Sequence, residues 1–200
     1  MLPDAIQKFI RVFSRLPSIG PRQATRLAFW LVTSSRISLP EVSQAIAGLT
    51  RMKVCSQCFF VFDGPGTLCS MCNDPQRHIG IYMVLEKETD LLSIERSKAY
   101  HGRYVVLGPL TKTGVLDDWQ KRRLQVLQET IAAHEPEGKA KEIIIALNPG
   151  TYGDVNTSII EKELERYAHT ITRLGRGIPT GGEIEFADED TLSHSINRRS

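Results

Sequence analysis

Ala5, Ile6, Phe9, Ile10 and Phe13 recur at three- and four-residue spacing. That period predicts a helix over residues 5–13, with Lys8, Arg11 and Arg15 largely off its apolar face. The pattern breaks at Leu16-Pro17-Ser18-Ile19-Gly20-Pro21 and resumes with Ala24, Leu27, Ala28 and Leu31 on the buried side of a second helix. Pro21 suits the first turn of that helix, where a missing N–H costs nothing, and Gly20 removes the side chain where the backbone must turn. Ser38 and Glu41 match a capping box ahead of Val42, Ile46 and Leu49, which predict a third short helix.

Beyond residue 78 the period changes from helical to alternating. Ile79, Ile81, Met83 and Leu85 point one way and Tyr82 and Val84 the other, as in a strand covered on both faces. Thr89 is the expected cap of the next helix, with Leu91, Leu92 and Ile94 inside. Residues 103–108 predict a second strand, and Leu124, Leu127 and Ile131 mark a long helix over 117–134. Residues 142–147 form the most apolar strand, expected at the centre of the sheet. A loop over 148–154, a helix over 155–167, a strand over 170–174 and a glycine-rich loop over 175–182 follow. A last helix starts near Asp188. Four strands alternating with helices predict a mostly parallel α/β sheet with helices on both faces.

All four cysteines fall in one stretch as two C-x-x-C pairs, Cys55/Cys58 and Cys69/Cys72. Gly64, Pro65 and Gly66 let the chain double back between them. Four thiolates at this spacing point to a structural zinc knuckle, whose tetrahedron leaves no position for a catalytic water. In small modules such a site contributes on the order of 10–16 kcal/mol to folding. His78, beyond the fourth sulfur, is expected at the surface. The predicted architecture is multidomain α+β: residues 1–54 helical, 55–78 the knuckle, 79–200 the α/β domain and C-terminal tail.

Net charge changes the picture by its distribution. Residues 1–54 carry eight Lys or Arg against Asp4 and Glu41, a net of +6, while the whole chain carries only +2. The asymmetry favours an anionic partner for the N-terminal part. Helix, Leu-Pro-Ser-Ile-Gly turn and basic helix together read as a helix-hairpin-helix. N–H groups following Gly20 would hold a phosphate, flanked by Arg22 and Arg26 on one helix face. Contacts of that kind position DNA without reading bases. No apolar run approaches the roughly 20 residues of a membrane span, and residues 1–6 lack the features of a secretion signal. With the cysteines as metal ligands, a reducing cytoplasm is the expected compartment, in association with the nucleoid.

In an open α/β sheet, ligands bind at the carboxyl ends of the strands. Glu86, Asp90 and Asp154 fall near such ends and could converge on a weak Mg²⁺ site or meet a partner. The central strand ends instead in Asn148-Pro149-Gly150, and Tyr152, a conceivable nucleophile, lies in a glycine-flanked loop with no evident base. The glycine-rich loop lacks the Gly-Lys-Ser/Thr of a Walker A sequence. No catalytic residue is assigned. A Mg²⁺-dependent nuclease or topoisomerase-like enzyme is the alternative reading.

The order of parts resembles the bacterial recombination-mediator family RecR over nearly the whole chain. The resemblance rests on the Leu16-to-Arg22 hairpin with Arg26-Leu27-Ala28-Phe29, on the four cysteines, and on Glu86 followed by Asp90-Leu91-Leu92. It extends through residues 145–149, 173–182 and 185–188. It implies a Toprim domain over 79 to about 190, no enzymatic activity, and a homodimer or homotetramer encircling duplex DNA. It also implies cooperation with RecO, and in many bacteria RecF, in loading recombinase onto strands coated by single-strand-binding protein. Arg22 and Arg26 match the family's DNA-contacting positions, Glu86 and Asp154 its Toprim acids implicated in contacting RecO. Asn148 stands where Toprim enzymes carry the first aspartate of their metal-binding pair. The chain departs from the family at residues 107–115, where Pro109 restricts the backbone, and at Gly153-Asp154-Val155-Asn156-Thr157.

Overall fold

The structure is a computed structural model that describes residues 2–34, 38–77 and 80–197. The expected strand start at Ile79, the surface placement of His78 and the tail over 198–200 lie outside the described residues. The chain divides into two compact units, Met1–Met52 and Lys53–Ser200.

The first unit contains α1 (Asp4–Phe13), α2 (Pro21–Thr33) and α3 (Leu39–Gly48), closed by a 3₁₀ turn at Leu49–Arg51. Phe9 and Phe13 stack at 3.9 Å, one helical turn apart. The buried core of this unit is small: Ala24, Ala28 and Leu31 along α2. Ser38 precedes α3 but its side chain makes no capping bond, so the predicted box is not closed. Glu41 still places a negative charge in the first turn.

In the second unit the knuckle comes first. Two short strands, β1 (Lys53–Val54) and β2 (Val61–Phe62), pair antiparallel, and one turn of helix, α4 (Ser70–Asn73), follows. Next come β3 (Ile81–Leu85), α5 (Glu88–Ser97), β4 (Arg103–Val106), α6 (Asp118–His134), β5 (Ala140–Ala146), α7 (Thr151–Leu164), β6 (Ala168–Arg173) and α8 (Glu189–Asn197). The four-stranded sheet has the order β4-β3-β5-β6 and every pairing is parallel, with Tyr82 opposite both Arg103 and Ile143. The apolar strand β5 is internal, as its composition predicts.

Alternation along the strands sorts two cores. Tyr82, Val84, Val105, Ile143 and Ile145 face Leu124, Leu127 and Ile131 of α6 and Ile160 and Leu164 of α7. Met83, Leu85, Tyr104 and Val106 face the other way, onto Leu91 of α5 and the four cysteines. The knuckle therefore shares a core with the sheet.

Three local expectations are corrected. Helix α5 begins at Glu88, not after a Thr89 cap: Asp90 Oδ2 accepts the Lys87 N–H at 3.3 Å. Leu92 is turned outward and exposed. Helix α7 begins at Thr151 rather than 155, because the Asp154 N–H already bonds the Gly150 carbonyl at 2.8 Å. Position 153 is glycine within that helix because the Asn148 carbonyl occupies the place a Cβ would take. Among the described residues, no helix is long and apolar enough to cross a membrane.

Candidate functional site

The two C-x-x-C turns bring the sulfurs of Cys55, Cys58, Cys69 and Cys72 within 4.8 Å of one another, all buried and none in a disulfide. Backbone bonds build the turns. Cys55 N–H donates to Phe60 O at 2.9 Å and Phe59 N–H to Cys55 O at 3.1 Å, with Phe59 itself at a φ of 62°. Cys69 N–H points at Cys55 Sγ, 3.4 Å away, and Asn73 N–H bonds Cys69 O at 3.0 Å. Cys58 Sγ lies 3.5 Å from Cys69 Sγ. Four convergent, buried sulfurs with amide support fit a structural Zn²⁺, which would hold all four as thiolates.

At the hairpin, Gly20 is extended (φ −83°, ψ 170°) immediately before α2. Its N–H donates to Gln23 Oε1 at 3.1 Å, a contribution of Gln23 that periodicity does not disclose. Pro21 has no N–H, so the free donors of the first turn are the Arg22 and Gln23 amides. Arg22 and Arg26 are both exposed, and no described acidic side chain pairs with either. The start of α2 thus leaves two amides without an intrahelical partner and two guanidiniums exposed on the same helix.

The strand-end acids are dispersed. Glu86 is 4 % exposed, and its Oε1 accepts the Leu110 N–H at 3.3 Å and the Tyr152 hydroxyl at 3.0 Å. Tyr152 therefore lies in helix α7 with a carboxylate beside it, not in a loop without one. It also donates to Leu110 O. Burial, then the hydrogen bond to Glu86, raises its pKa and keeps the phenol protonated, the opposite of what a nucleophile needs. Asp90 and Asp154 line one cavity of about 400 Å³ with Asn148, Thr157, Arg173, Arg176 and Thr191. Asp154 contacts Arg176 there, and Arg173 Nη1 lies 3.9 Å from the same oxygen. Among the described residues, the cysteines alone gather three or more metal-binding side chains. The sequence does not foretell the Arg173 and Arg176 contacts, because these residues lie far from Asp154 along the chain.

Comparison with known proteins matches residues 6–49 to a helix-hairpin-helix family described as "RecR, helix-hairpin-helix". Residues 80–175 match "Toprim domain" and residues 177–200 match "RecR, C-terminal". A "Recombination protein RecR" of Bifidobacterium animalis subsp. lactis is 36 % identical over 200 residues, spanning 98 % of this chain and 95 % of the relative. A protein of the same name from Syntrophobacter fumaroxidans is 37 % identical over 98 % of this chain and 96 % of its own length. Another from Frankia alni is 33 % identical over 100 % and 98 %.

Proposed function

The chain belongs to the RecR family, and from that premise we propose how its residues serve a non-enzymatic, DNA-binding adaptor in recombinational DNA repair. The observation that carries the reading is the hairpin. Two open amides after Gly20, with Arg22 and Arg26 exposed beside them, sit in a region of net charge +6. Such a seat takes a backbone phosphate through N–H donors and the helix dipole, and the arginines extend the contact along the strand. Nothing in it reads a base, so binding is sequence-independent.

Zn²⁺ held by Cys55, Cys58, Cys69 and Cys72 would fix the knuckle and supply no chemistry to a substrate. Exposed Phe29, Trp30, Val32 and Leu49 in the first unit support assembly with further copies of the chain, as a homodimer or homotetramer. Several weak seats in one assembly then act together on one DNA. A RecO-type partner, with or without RecF, would meet the Toprim domain at the rim holding Asp90 and Asp154. Glu86 lies beneath, engaged with Leu110 and Tyr152. Loading of recombinase onto protein-coated single strands in the nucleoid follows from that combination. A nuclease or topoisomerase reading, and with it a weak Mg²⁺ site, gains no support from a protonated Tyr152 and dispersed acids.

The test is duplex binding by fluorescence anisotropy across salt concentrations, with subunit number followed by light scattering. Arg22→Ala/Arg26→Ala should bind all sequences more weakly and flatten the logarithmic salt slope by about 2, roughly 0.9 for each lost phosphate contact. An unchanged slope would place the DNA site elsewhere.

A further inference from the structure

At the carboxyl ends of β3, β5 and β6 the charged groups are arranged against a divalent cation. A hard cation needs several carboxylate or carbonyl oxygens with lone pairs free. Asn148 offers a neutral amide at the end of β5, and Glu86 is buried with its Oε1 taken by Leu110 and Tyr152. Asp154 receives a hydrogen bond from Arg176 Nη2 and stands 3.9 Å from Arg173 Nη1. Arg173 is itself forked onto Glu161, with Nε–Oε1 at 2.7 Å and Nη2–Oε2 at 2.6 Å. That fork holds its positive charge in place, and Glu161 and the nearby Asp154 raise its pKa further. An added metal ion would meet two fixed positive charges at short range.

We propose that Arg176 is a tethered cation occupying the strand-end cavity at the position a divalent cation would need beside Asp154. Its contact with Asp154 holds the glycine-rich segment 175–182 against the strand ends. The segment's own backbone bond, Gly182 N–H to Pro179 O at 2.8 Å, is internal and cannot anchor it. The anchoring is electrostatic and depends on one carboxylate. Segment 175–182 joins β6 to the helix that carries Thr191, which lines the same cavity as Asp90 and Asp154. Arg176 and Asp154 are thus positioning residues, and the centre is closed to Mg²⁺ by the chain itself. This goes beyond the DNA-binding role and does not depend on it, since neither readout below contains DNA.

The experiment uses the zinc-loaded full chain. Thermolysin cleavage before Leu174 is timed by mass spectrometry in wild type, Asp154→Asn, Arg176→Gln and Arg176→Lys. The two neutralising variants should be cut about tenfold faster, the scale of one partly exposed charge-assisted bond. Arg176→Lys should stay near wild type, and cleavage within β3 and β5 should not change. In parallel, Mn²⁺ is titrated to millimolar and the free-ion electron paramagnetic resonance signal followed, with no saturable uptake expected. Wild-type cleavage rates in both neutralising variants would overturn the proposal. Saturable Mn²⁺ uptake that Asp154→Asn abolishes would overturn it as well.

Discussion

Arg77 forks onto Glu95 with nitrogen–oxygen distances of 3.0 and 2.7 Å and also donates to Gly102 O at 3.0 Å. Burial alone would push the Glu95 carboxyl up, but the Arg77 hydrogen bonds and charge outweigh it and hold the pKa low. A carboxyl lowered in the folded state stabilises fully above its unfolded value of about 4.3 and loses that contribution as pH falls through the folded one. The urea midpoint of wild type should therefore exceed that of Glu95→Gln at neutral pH, and the gap should close below about pH 4. A gap independent of pH would show that the carboxylate is not held low. Gly153→Ala tests a steric demand instead. Its methyl group would run into the Asn148 carbonyl, so melting should reveal a loss of about 1–3 kcal/mol. Pairings at this scale were largely invisible in the sequence. Tyr152 meets Glu86 across 66 positions and Arg176 meets Asp154 across 22, and no local period encodes either contact.

Elements were more legible where a period runs long enough to register. Leu124, Leu127 and Ile131 announced α6 and are buried, and the alternation of residues 81–85 announced a strand covered on both faces. The strands β1 and β2, two residues each, are too short to show any period. The start of α7 was hidden because Pro149, Gly150 and Gly153 read as loop, although Gly150 is set by its φ of 131° at the helix start and Gly153 by the Asn148 carbonyl beside it. The cysteine spacing disclosed the knuckle, but not that it leans on the sheet. Cys58 O accepts the N–H of Val106, the last residue of the edge strand β4, at 2.9 Å. Stripping the metal should therefore do more than loosen a loop. Hydrogen exchange should rise along β4 and Leu91 of α5 as well as in the knuckle, while β6, outside that core, keeps its protection. Exchange confined to residues 53–77 would argue that the sheet stands without the knuckle.

On the scale of the molecule, charge and apolar exposure separate along the chain. The first 54 residues hold the positive excess, and the first unit also leaves Phe29, Trp30, Val32 and Leu49 exposed around a core of three small or medium side chains. A unit so thinly cored gains from burying that surface against another copy. Trp30→Glu should lower the mass seen by light scattering, and with it the apparent DNA affinity, while leaving the salt slope per subunit unchanged. An unaltered mass would move the assembly surface to another part of the chain.

Arg123 lies between the ring of Phe59 in the knuckle, 4.8 Å away, and the ring of Trp119 in α6, 4.4 Å away, and donates to Val106 O at 2.7 Å. Trp119 also covers Gly108, where a Cβ could not fit. The protein has two tryptophans, and the other, Trp30, belongs to the first unit. With Trp30→Phe in place, the emission of Trp119 becomes an optical gauge of knuckle integrity. Loss of a Zn²⁺ held by the four cysteines would free Phe59, let the guanidinium slip from the indole face and move the fluorescence maximum to longer wavelength without any added dye.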